Sequence, residues 1–405
     1  MTRTLFEGGV LFDGTGTAPE PADVVVEDGR FVDVGLGLDG DERVDVSGKH
    51  VLPGLFDCHT HVMLSHVDFW QHLQTPFSLR FYEAMHNLRK TLEIGITTIR
   101  DAGGADLGMK VAVEQGLIPG PRMQISIRMI SQTGGHGDPW LPSGAEAAAF
   151  FPVYPGSPES IVNGAEEMRV KVRELIRDGA DVLKVAVSGG VLSPRDDPRH
   201  AHFRLHELET LVEEASAAGR WVMAHAQSNV GIKQAIRAGV RSIDHGLFLD
   251  EEAVQMMVER GTWLVPTLAA PQGVIDAAEN GAQIPEASLQ KARDVVVAHA
   301  ESFRLAVEAG VKVAMGTDSA VTPHGENLRE LSLMAAGGMS PAQVLVATTK
   351  NSAELMGLHD QLGTVEPGKR ADLVVVDGDP LEFDKLPARI GRVYKEGVRV
   401  PARSL

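Results

Sequence analysis

Between Pro53 and residue 362 the chain repeats one texture: a short apolar run that reads as a strand, then a stretch with helical periodicity. The runs are the segment ending at His61, Ile96–Arg100, Met123–Ile127, Val182–Val187, Trp221–Ala224, Ser242–His245, Thr262–Val265 and Val311–Met315. Amphipathic stretches such as Glu166–Gly179, His206–Gly219 and Ser288–Gly310 lie between them and close on the glycine expected just past a helix end. Eight strand-helix units over roughly 300 residues predict an α/β fold, a (β/α)8 TIM barrel.

The two ends read differently. Thr4–Phe6, Val10–Phe12, Asp23–Glu27, Arg30–Val34 and His50–Leu52 are short runs broken by Gly, Asp and Pro, expected as small antiparallel strands. The same strand-and-turn texture returns in Gly363–Asp377, after a helix that Ser340-Pro341 should start and Gly357 should stop. Residues 1–53 plus 363–405 are therefore expected to build one β-sandwich-like module, and 54–362 the barrel. Pro152–Pro158 is the most loop-like interior stretch.

Composition narrows the partners. With 55 acidic against 38 basic residues the formal charge is -17, which repels polyanions, and no basic stretch interleaved with aromatics suggests nucleic-acid binding. No apolar leader and no run of about eighteen apolar residues points to export or membrane insertion. The single cysteine, Cys58, excludes an intrachain disulfide framework and fits a reducing cytoplasm.

Chemistry gathers at the C-terminal ends of the expected strands, where such barrels carry their active sites. His59 and His61 are two apart on a strand, so both face the barrel mouth. Lys184 stands inside the apolar run Asp181–Val187. A bare ammonium is costly there, but burial lowers its pKa and lets it react with carbon dioxide to give an anionic carbamate. His225 ends strand five, His245 strand six, and Asp318 follows strand eight. Singly these residues read as satisfied core histidines, an ion-paired lysine and a helix cap. Together, delivered by five strands to one rim, they read as a metal centre.

With these residues in place the chain resembles the amidohydrolase superfamily, in its imidazolonepropionase-like and Xaa-Pro dipeptidase-like branch. The resemblance spans nearly the whole chain. It rests on Asp57-Cys-His-Thr-His61, Thr133-Gly-Gly-His-Gly-Asp138, Ser188-Gly-Gly-Val-Leu-Ser-Pro194 and Glu366-Pro-Gly-Lys-Arg-Ala-Asp-Leu373. It implies one divalent ion held by His59, His61 and Asp318, a second by His225 and His245, and carboxylated Lys184 bridging them. Zinc suits imidazole and carboxylate, and softness leaves manganese, cobalt and nickel open. Two ions about 3.5 to 4 Å apart would supply hydroxide and polarise the scissile carbonyl. Asp318 would be the general base that moves the proton to the departing nitrogen. The resemblance also implies a homo-oligomer.

Substrate choice is less determined. His136 follows strand three in a glycine-rich loop that contributes to substrate binding in the dipeptidase-like relatives. Where those relatives often carry tyrosine, two residues after the strand-five histidine, this chain has Gln227, which donates a hydrogen bond but offers no aromatic wall. Imidazolonepropionase proper uses a single metal and lacks the bridging lysine. Arg128 meets either a substrate carboxylate or a structural one, and Asp101 is a loop cap or a support for the centre. His66, Phe69, Trp70 and His72 shape the pocket or pack a helix, and His200, His202 and His206 line an entrance or are solvated. The leading expectation is hydrolysis of an amide bond in a dipeptide, Xaa-Pro-like, or an N-acyl amino acid. The alternatives are a cyclic amide, anilide, carbamate, urea or lactone cut by the same centre, and a non-catalytic scaffold.

Overall fold

A computed structural model describes residues 2–144 and 150–401, so the last four residues of the expected terminal module lie outside the described ones. Leu55–Thr60, Ile96–Asp101 and Arg122–Ile125 pair in parallel as one section of the barrel wall. Met129–Ile130, Leu183–Ala186, Val222–Ala226, Ser242–His245 and Trp263–Val265 pair in parallel as the other. Helices Ala165–Arg177, Leu205–Ala217 and Glu286–Glu308 match the amphipathic stretches to within two residues at each end.

Two expected strands depart from the sequence reading. The third breaks after Ile125: Arg122–Ile125 pairs with strand two, Met129–Ile130 with strand four, and residues 126–128 turn between them. Val311–Met315 is not a continuous strand and carries one bridge, Val313 to Leu264. Its backbone still joins both neighbours, since Leu264 N donates to Lys312 O at 2.8 Å and Cys58 N to Met315 O at 2.9 Å. The amide of Met315 instead donates to Ala347 O at 3.1 Å, which takes it out of the ladder. The barrel is closed through a segment whose donors are divided between strand and helix.

Eight strands from both chain ends form a single sheet, with Leu373–Val376 antiparallel to both His50–Pro53 and Ile390–Lys395. The sheet is not wholly antiparallel as expected: Thr4–Leu11 runs parallel to Glu42–Asp45 and His50–Pro53. Glu42-Arg-Val-Asp45 has one apolar residue, so alternation gives it no signal. Along Leu373–Val376 the period of two sorts the side chains cleanly: Val374 and Val376 join the barrel core, Leu373 and Val375 the cluster of Phe6, Phe31 and Tyr394. Pro341–Thr348 starts as read, with Gln343 Oε1 accepting from Ser340 N at 2.8 Å and Ser340 Oγ from Gln343 N at 3.3 Å. Among the described residues no helix is long and apolar enough to cross a membrane.

Candidate metal centre

The strand ends deliver His59, His61, Lys184, His225, His245 and Asp318 to one pocket, with His136 and Gln227 in its wall. Ligand-type atoms of His59, His245 and Asp318 all lie within 4.8 Å of one another. Asp318 Oδ1 stands 3.4 Å from His59 Nε2 and 3.2 Å from His61 Nε2. The His225 ring packs 4.6 Å from that of His245. Lys184 Nζ is 3.3 Å from Asp244 Oδ2, so the unmodified amine has a carboxylate neighbour.

Hydrogen bonds on the far side of each ring decide what faces the middle. His61 Nδ1 lies 2.8 Å from the carbonyl of Gly103, which can only accept, so Nδ1 carries a proton and Nε2 is the atom turned toward Asp318. His59 is oriented the same way by Asp244, 2.8 Å from its Nδ1. His225 donates from Nε2 to Gly189 O at 3.1 Å, which leaves Nδ1 as an acceptor. Imidazole lone pairs and a carboxylate converging on one space are a donor set that fits divalent metal. Electrostatics divides the histidines: burial would lower His61, but Asp318 and Asp101 outweigh it and raise it. Burial pushes His225 and His245 well below the ordinary histidine value, so both imidazoles are neutral. Burial would raise Asp318, but His59 and His61 outweigh it and hold its carboxyl well below the usual range. Burial also lowers Lys184, against the pull of Asp244 and Asp318.

Backbone strain helps to aim these groups. His245 and Asp318 have φ of 74° and 59°, uncommon for residues with a Cβ. Strand alternation should send Asp244 away from His245, yet both serve the site because the chain turns sharply at His245. Asp244 accepts from His59, from Lys184, from Arg100 Nη2 at 3.2 Å and from Ser242 Oγ at 2.8 Å. Burial alone would raise its carboxyl; the charges of Arg100 and Lys184 keep it well below the ordinary value. The sequence reading missed Asp244 and Arg100. The available signal was the one that marked Lys184: a charge inside an apolar strand run.

His136 stacks on His225 with centroids 4.3 Å apart and rings 17° from parallel. Its Nδ1 lies 2.7 Å from Ser193 Oγ and 3.4 Å from Asp196 Oδ2. Gly190 makes this possible, because a Cβ there would sit 2.2 Å from His136 Cε1. Gln227 is buried, and its Oε1 has no partner among the described residues. Lys291 Nζ donates to the carbonyls of Gly190 (2.6 Å), Ser193 and Asp196 (2.9 Å), tying the loop after strand four to the long helix Glu286–Glu308. Phe69, Leu141, Phe150, Phe151, Leu192 and Val274 make the wall largely apolar.

Of the remaining candidates, Phe69 lines the pocket, Trp70 is exposed, and His66 stacks on His72 outside it. His200, His202 and His206 do not line it. Asp101 accepts from the backbone of Val62, Gly103 and Ala105, the capping role. Arg128 makes no ion pair among the described residues, so its structural salt bridge is not formed.

A parallel barrel whose strand ends bring four histidines, a lysine and an aspartate into an apolar pocket defines a class, the metal-dependent barrel hydrolases. The Amidohydrolase family profile matches residues 50–400, and the chain belongs to that family. Ochratoxinase of Aspergillus niger is 33% identical over 415 residues, covering 97% of this chain and 86% of the relative. A Xaa-Pro dipeptidase solved with methionine bound in the active site superposes with a TM-score of 0.90 at 32% identity, covering 99% of this chain and 100% of that one. A prolidase complexed with N-methylphosphonate-L-proline gives 0.89 at 35% identity, with the same coverage. The protein is a hydrolase acting on amide bonds, of a family that generally uses divalent metal ions.

Proposed function

We propose that the protein hydrolyses the amide bond of a dipeptide, Xaa-Pro-like, or of an N-acyl amino acid. The observation that carries this reading is a convergent donor set beneath an apolar wall in which the buried amide oxygen of Gln227 has no partner among the described residues. Such a pocket suits a small amide with an apolar body and one polar end. Methionine and N-methylphosphonate-L-proline, bound by the two dipeptidase-like relatives, each join an apolar body to a carboxylate.

His59, His61 and Asp318 would hold one ion, His225 and His245 a second, with carboxylated Lys184 between them and zinc as the metal. When bound, the ions supply Lewis acidity at the scissile carbonyl and hydroxide at neutral pH. The chain's own residues do the rest. Asp318 takes the proton of the attacking water and hands it to the departing nitrogen, which leaves poorly as an anion. Asp244 fixes the tautomer of His59, and the Gly103 and Gly189 carbonyls fix those of His61 and His225. Phe151, 5.5 Å from the His61 ring, keeps bulk water off that side. His136 and Gln227 face the substrate.

The extent of the apolar wall favours a second reading, a neutral anilide, carbamate, urea or lactone. Metal content and amine release distinguish the two. Protein prepared with zinc and bicarbonate should carry two ions per chain and cleave dipeptides or N-acyl amino acids with a free α-carboxylate. Activity confined to neutral substrates would select the second reading, and metal-free protein with full activity would sink both.

A further inference from the structure

Arg128 is 4% exposed and lines the pocket. Its Nη1 donates to the carbonyl oxygens of Phe151 and Pro152, the latter at 3.1 Å. Its Nε is buried without a partner, and among the described residues no carboxylate pairs with it. Burial pushes its pKa down, opposed only by the more distant charges of Glu159 and Tyr154. A guanidinium shut away from water with no counter-ion is costly to keep. The edge left over, Nε with Nη2, is the one that meets both oxygens of a carboxylate side-on.

The backbone is strained to place it. Ile127 has φ of 64°, a conformation that a β-branched residue adopts only under constraint, and Arg128 N donates to Ser126 O at 2.7 Å in a three-residue turn. This turn breaks barrel strand three. It also sets Arg128 in the wall of the pocket that His59, His61 and Asp318 line. Strain of this kind collects at ligand-binding positions. A residue that only propped the Phe151–Pro152 backbone would need neither a second free edge nor a strained turn.

We infer that Arg128 binds the carboxylate of the substrate through its Nε–Nη2 edge, making it the residue that selects acids over neutral amides. This rests on the amide-hydrolase reading with an acidic substrate. The wall around it, with Phe151 held by the same guanidinium, then takes the apolar side chain next to that carboxylate.

The test compares the best acid substrate of the panel with the analogue in which hydrogen replaces the carboxylate, for example N-benzoyl-L-alanine against N-ethylbenzamide. Wild type should prefer the acid by on the order of 100-fold in kcat/KM, the worth of a charge-assisted pair. Arg128→Met should reduce that preference to a few-fold, through KM for the acid, with a much smaller loss on the neutral analogue from the released Phe151–Pro152 carbonyls. Arg128→Lys should recover part of the preference as a point charge, with melting curves showing that both variants fold. Equal losses on both substrates would make Arg128 a strut and overturn the assignment. An undiminished preference in Arg128→Met would overturn it while the acid-substrate reading stands. A wild type that prefers the neutral analogue would remove that reading and the assignment with it.

Discussion

At the scale of single residues, the site depends most on a side chain that touches no substrate. Asp244 is buried, orients His59, and is the carboxylate partner of Arg100 and of the unmodified Lys184 amine. Asp244→Asn keeps the volume and removes the charge. The variant should bind zinc about 10- to 100-fold more weakly, as chelator competition would show. It should also lose about 3–5 kcal/mol of stability, the usual cost of stranding buried charge, as denaturant melts would show. Unchanged affinity would mean that His59 holds its orientation without Asp244. Asp244 shared the signal of Lys184, a charge in an apolar run, but its place in the site was hidden for a physical reason. Strand periodicity places neighbouring residues on opposite faces, and only the positive φ at His245 brings both to the site. That His59, His61, Lys184, His225, His245 and Asp318 would share one pocket was legible because each is a polar or ionisable residue within or at the end of an apolar run. The turn at Ile127 was not, since nothing in Ile125-Ser-Ile-Arg128 marks a β-branched residue for the left-handed region.

At the scale of elements, the loop after strand four is a working part held by the helix Glu286–Glu308. Lys291 reaches from that helix to three carbonyls and to Asp196 Oδ1 at 3.3 Å, and the loop in turn orients His225 through Gly189 and seats His136 over Gly190. Lys291→Met should lower kcat/KM by roughly 10- to 100-fold, as displaced supports of a catalytic geometry do. An unaltered kcat/KM would show that the loop stands without its latch. Acid tests the same latch from the other side. Burial would raise Asp196, but His136, Ser193 and Lys291 pull its carboxyl down to about 2. A depressed carboxylate stabilises the fold above its unfolded pKa, and the contribution disappears as pH falls from about 4 through 2. The stability gap between wild type and Asp196→Asn should therefore shrink by on the order of 2 kcal/mol across that window. A gap that stays constant with pH would place the latch's worth elsewhere. The helix Glu286–Glu308 was readable from periodicity, but its lysine's partners are about 100 residues away and periodicity says nothing of them.

At the scale of the whole molecule, the texture of the two ends pointed to a shared module, and the structure gives them one sheet whose inner face is the barrel's own core. Val374 and Val376 pack with Phe12, Leu52 and Leu55 in the main cluster. Gly54 marks the join: a Cβ there would come 2.2 Å from Thr97 Oγ1 and 2.7 Å from Asp372 Cβ. Arg122 of the barrel bridges Asp372 at 3.0 Å and Glu396 at 2.6 Å. Two textures thus suggest two units, and these contacts join them face to face. We propose that residues 1–53 and 363–405 are a module by descent of pattern and not by independent stability. Calorimetry of the full chain should show a single cooperative transition whose calorimetric and van't Hoff enthalpies agree. Added zinc should move that transition upward as a unit, by about 2.7 kcal/mol at a hundredfold excess over the dissociation constant. Ending the chain at residue 362 removes Leu373–Val376 and Ile390–Lys395 together, which exposes the edge of His50–Pro53 and the apolar residues that Val374 and Val376 cover. The truncated chain should fail to fold or should aggregate, and its recovery as a cooperatively melting, metal-binding barrel would show that the terminal sheet is an appendage.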